Sequence, residues 1–100
     1  MNKPDNRVVC ETPTPGKQPT RIEAWKYDLV RQLILDTLPT EPPGLAFKEL
    51  AQRVKTKLTA EQHEKLGSVS WYTTTVKLDL EVKGEVARVT GARNQHLTRS

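Results

Sequence analysis

The chain is poor in the means by which small domains are usually pinned together. It has one cysteine, Cys10, so no disulfide can close within it and the fold must rest on an apolar core. Cys10 lies in a Pro-rich stretch and reads as an incidental tail thiol, with no basic or helix-start neighbour to activate it. His63 and His96 stand apart from each other and from Cys10, without ligand spacing, so neither a metal nor a cofactor is expected. Phosphate loops, dinucleotide fingerprints and nucleophile elbows are all missing, and the chain does not read as an enzyme. Long apolar runs are missing too. The longest, Leu33-Ile34-Leu35, is far too short to cross a bilayer, and residues 1–9 hold no run of signal-peptide length. The expectation is a cytoplasmic protein without membrane contact.

What remains is a mildly basic, mixed-charge sequence of 100 residues, enough for one domain. The net charge of +4 permits an acidic partner without demanding one. Residues 1–19 hold Pro4, Pro13, Pro15, Gly16 and Pro19, and are expected to form a flexible N-terminal arm in which only Val8-Val9-Cys10 has strand character. The domain proper should span residues 20–100.

Four helices and a hairpin follow from the patterning. Thr20 and Glu23 are spaced as a capping box, so a first helix is expected over 21–38, with Ile22, Trp25, Leu29 and Leu33 in one stripe and Val30, Ile34 and Leu38 widening it. Pro39 ends it. Leu45-Ala46 fits a one-bridge strand. Phe47, Leu50, Ala51, Val54 and Leu58 then mark an amphipathic helix over 47–58. Thr59 and Gln62 repeat the capping-box spacing and predict a short linker helix over 60–66, closed by Gly67. The third main helix should run from Ser70 to Lys83, capped by Ser68 or Ser70 and ended by Gly84. A strand over 85–90, a turn at 91–94 and a return strand over 95–98 complete the chain. The expected fold is α+β and mostly helical. Its order is that of a winged helix-turn-helix: three main helices, one linker helix and a C-terminal β-hairpin wing.

Two sets of residues carry a resemblance. Val76, Leu80-Glu81, Lys83-Gly84, Val86 and Arg88 resemble the junction of recognition helix and first wing strand in bacterial winged-helix regulators. Pro15-Gly16, Lys26-Tyr27, Leu38-Pro39, Pro43-Gly44-Leu45, Trp71-Tyr72 and Leu78-Asp79-Leu80-Glu81 with Lys83-Gly84 together resemble a family of small uncharacterised bacterial proteins of unknown function. This second resemblance covers roughly residues 14–99. It implies a winged-helix-like fold and no established activity, so it lends no functional residues.

At about 100° per residue the third main helix divides into faces. Val69, Tyr72, Val76 and Leu80 form one apolar stripe, and Trp71, Thr75, Leu78 and Val82 form a second. Both look core-facing, yet together they exceed the usual buried arc, so the second needs a cover: the arm, the wing or a second protomer. The remaining face, Ser70, Thr73, Thr74, Lys77 and Glu81, is the candidate DNA reader. From Val86 onward there is no acidic residue, so Arg88, Arg93, Asn94 and Arg99 look like a phosphate-gripping wing. Asp79 falls between the apolar stripes and requires a partner, with Arg21, Lys26 and Arg88 as candidates.

Two functions follow. One is a DNA-binding winged-helix protein, a transcriptional regulator, holding duplex DNA weakly and salt-sensitively through Ser70, Thr73, Thr74, Lys77, Arg88, Arg93, Asn94 and Arg99. The other is a protein-interaction module on the same scaffold, a homodimer or a binder of another protein, docking through Trp71, Leu78 and Val82.

Overall fold

The computed structural model describes residues 6–90 and 95–100. Among them are strands β1 (Arg7–Cys10) and β2 (Thr20–Glu23), helix α1 (Ala24–Thr37), strand β3 (Leu45–Ala46), helices α2 (Phe47–Lys57), α3 (Ala60–Leu66) and α4 (Val69–Val82), and strands β4 (Val86–Arg88) and β5 (His96–Arg99). The result is a small α+β domain with two antiparallel sheets.

The main departure from expectation lies at the N-terminal end. Thr20–Glu23 is a strand, not the first turn of α1, and it pairs antiparallel with β1 so that Val8 faces Ile22 and Cys10 faces Thr20. The alternation explains why: Ile22 is buried while Arg21 and Glu23 are exposed, a period of two that a helix would destroy. The Thr20–Glu23 capping box therefore does not form. Glu23 precedes α1 without a side-chain cap, and its carboxylate instead accepts a hydrogen bond from the Trp25 indole (2.6 Å). Residues 7–10 of the expected arm belong to the packed body, because Cys10 is 3% exposed and part of the core. Its thiol is buried structure rather than a tail group.

The core joins three helices. Val30 and Ile34 of α1, Leu50 and Val54 of α2, and Val76 and Leu80 of α4 are fully buried, with Leu66 closing α3 beneath them. The buried face of α1 runs through Tyr27, Val30 and Ile34. Trp25 is 42% exposed, and Leu29 and Leu33 are half-buried, so the expected stripe was centred one side too far. The capping box at Thr59 and Gln62 is present, with both reciprocal hydrogen bonds made.

The second sheet runs β3-β5-β4. Leu97 of β5 faces Leu45 on one side and Arg88 on the other and is wholly buried. Gly44 leads into β3 with φ +73°, and a Cβ there would collide with the Leu97 carbonyl. Close backbone approach at this one point lets β3 join β5. The expected turn at 91–94 lies outside the described residues.

Candidate interaction surface

Helix α4 organises the site. The Ser68 hydroxyl accepts from the Trp71 amide (3.2 Å) and caps the first turn, and Gly84 takes a left-handed φ of +79° just past the end. Two polar networks then fix how the helix is rolled about its axis.

The first centres on Asp79, which is completely buried. One carboxylate oxygen accepts the Glu11 amide (3.0 Å). The other accepts the Tyr27 hydroxyl (2.5 Å) and the Lys83 ammonium (2.6 Å). Lys83 also donates to the Tyr27 hydroxyl (2.9 Å). Burial alone would raise the Asp79 pKa, but the hydrogen bonds from Glu11, Lys83 and Tyr27 outweigh it, and the carboxyl is held below its ordinary range. The need for a partner was legible in the sequence. The partners are Lys83, Tyr27 and a strand-end amide, rather than Arg21, Lys26 or Arg88. Burial, with the Asp79 charge adding to it, pushes the neighbouring Cys10 thiol up to about 11.

The second network lies on the opposite flank. Lys77 is 2% exposed, donates to Glu81 (2.7 Å) and Gln95 (3.1 Å), and sits 4.5 Å from the centre of the Phe47 ring. Burial lowers its pKa, while the hydrogen bond and charge of Glu81 act against that shift. Glu81 also takes Arg88 (2.5 Å). Its side chain is only 8% exposed, so it is turned inward.

With Asp79 on one flank and Lys77 on the other both buried, the opposite arc of α4 must face out. That arc is Ser70, Trp71, Thr74, Thr75, Leu78 and Val82. Trp71 is 46% and Val82 44% exposed, while Thr74, Thr75 and Leu78 are half-buried. The second apolar stripe is thus only partly covered, with the segment after β1 reaching Thr75 and Leu78. Trp71 packs edge-on against Tyr72 (centroids 4.8 Å apart). The Lys26 ammonium bridges from Tyr72 (4.9 Å) to the second exposed tryptophan, Trp25 (5.6 Å).

This roll dismantles the expected DNA-reading row. Thr73 is fully buried with an unpartnered hydroxyl, and Lys77 is buried and ion-paired, so neither can reach a groove. Arg88 is exposed yet tied to Glu81. Ser70 and Arg99 are exposed and Thr74 is half-buried. Arg93 and Asn94 lie outside the described residues. The expected partner-interface residues Trp71, Leu78 and Val82, by contrast, share the outward arc.

Among the described residues, no group of acids, histidines and cysteine could hold a metal ion, and no helix is long and apolar enough to cross a membrane. Fold and surface together define a small α+β domain organised around helix α4. The chain belongs to DUF6958, a family of unknown function, whose model matches residues 7–97. No curated protein and no solved structure matches it.

Proposed function

We propose that this domain is a protein-interaction module on a winged-helix scaffold, and that its docking element is the outward arc of α4, pairing with the same arc of a second copy. The scaffold reading is supported by the helix order α1, α2, α4 and by the sheet order β3-β5-β4, in which the strand after α1 pairs with the last strand of the C-terminal hairpin. One observation carries the functional reading: the arc from Trp71 to Val82 is uncharged and exposes a tryptophan and a valine while polar neighbours on the same helix are buried.

Self-pairing is favoured by charge and by shape. A two-fold interface sets each patch against itself, so a charged arc would meet its own sign. The exposed side chains of this arc carry none, because Glu81, on its Ser70–Thr74 side, is folded onto Lys77 and Arg88. Antiparallel pairing sets bulky Trp71 against the smaller Val82 end and Leu78 against Thr75, large against small. A single helix face gives a small interface, so the dimer should be weak, in the micromolar range or above. Leu78→Glu places a carboxylate at the centre of the pairing. Sedimentation should then show monomer at concentrations where the parent protein dimerises, with far-UV circular dichroism unchanged. Undiminished dimerisation of that variant would take the contact off α4.

A further inference from the structure

Helix α2 holds two of its free cations, Lys48 and Lys55, on one side. Lys48, Gln52 and Lys55 follow one another at turn spacing and line a groove with His63 of α3 and Ser70 of α4. All five are exposed, and no acidic side chain lines the groove. Arg31, Arg53, Lys65, Lys77, Lys83 and Arg88 are each tied to a carboxylate. Lys48 and Lys55 have no such partner among the described residues. Two cations left for an external anion therefore stand together here, whereas Lys77 on α4 is not among those left.

We propose that this groove between α2, α3 and the start of α4 binds the phosphate backbone of double-stranded DNA. Lys48 and Lys55 are separated by about 10 Å along the helix axis. Phosphates of one strand advance about 3.4 Å each along a duplex, so the two ammonium groups meet separate phosphates of a linear polyanion instead of closing on one phosphoryl group. No Phe, Tyr or Trp lines the groove, so the His63 imidazole is the single ring it offers an unstacked base, unlike the aromatic rows of a single-strand platform. Gln52, His63 and Ser70 add donors between the cations. Gln52 is the one Arg, Asn or Gln in the groove, and both cations are placed for phosphates, so the binding is largely independent of sequence.

Fluorescence anisotropy with a labelled duplex of random sequence tests this. Binding is expected at low salt and should weaken about tenfold from ~50 to ~200 mM salt, as for two neutralised phosphates. Lys48→Gln with Lys55→Gln should abolish most of the low-salt binding and flatten the salt dependence. Lys17→Gln with Lys57→Gln removes the same charge from exposed positions outside the groove lining and should leave affinity within about twofold. No binding at low salt by folded protein, equal loss in both double variants, or equal affinity for a single strand of the same length would each overturn the proposal. The measurement does not depend on α4 pairing, because the groove meets the outward arc only at Ser70 and its cations lie on α2.

Discussion

Asp79 shows how one residue can set the geometry of a surface. Its carboxylate ties β1, α1 and the end of α4 together, and with it α4 is turned so that Trp71 and Leu78 face out. Asp79→Ala leaves the Tyr27 hydroxyl and the Glu11 amide without their acceptor and should destabilise the fold by about 3 kcal/mol. Lys83→Gln should cost only about 1 kcal/mol, because that side chain is 43% exposed and solvent screens the pair. Thermal melts of both variants check the order, and an unchanged melting temperature for Asp79→Ala would refute it. The pH profile follows from the same groups. The Asp79 pKa is lowered on folding, so its contribution is present above the ordinary carboxylate range and is lost as pH falls through and below about 4. The Cys10 pKa rises from 9.0 to about 11, so the unfolded chain ionises first and stability declines across that window as pH rises. Cys10→Ala should flatten that alkaline decline. In the native protein at pH 8 the thiol should react with a disulfide reagent far more slowly than in denaturant; equal rates would place it outside the core.

At the level of elements, much of the architecture was legible, because it rests on local signals. The capping box at Thr59, the glycine after α4 and the apolar periodicity of α2 are written in neighbouring residues and reappear in the structure. Two features were not legible, since each depends on a distant partner. Thr20–Glu23 satisfies a helix-start pattern, but pairing with β1 makes it a strand. The roll of α4 was misjudged because a helical wheel places Lys77 and Thr73 among polar residues. Only Phe47, Glu81 and Gln95 converging on Lys77 explain why that flank is inside. Joining β3 to β5 has its own sensitive point. Gly44→Ala combines a left-handed φ with a clash against backbone and should destabilise by about 3 kcal/mol. Gly16→Ala has the same sign of φ and open space, and should cost about 1 kcal/mol. Chemical denaturation of the two variants separates these outcomes; equal losses would mean that the approach to Leu97 is not what requires Gly44.

For the whole molecule, the two proposed surfaces divide the work between helices. The groove on α2 carries two free cations, and α4, the helix a winged-helix comparison would cast as the DNA reader, presents an apolar arc with no exposed charge. Under these two proposals the domain would bring two copies together through α4 while leaving the cations of each α2 groove accessible. The sequence made Trp71, Leu78 and Val82 candidates for an interface. It could not show that they share the outward arc, because that follows from burial of polar groups on both flanks. The decisive measurement is the light-scattering mass of the parent protein from about 10 µM to about 1 mM, a range that spans a weak helix-face dimer. The account predicts a rise from the chain mass of 11.3 kDa towards twice that value. A mass that stays at 11.3 kDa throughout, with the protein folded, would contradict it.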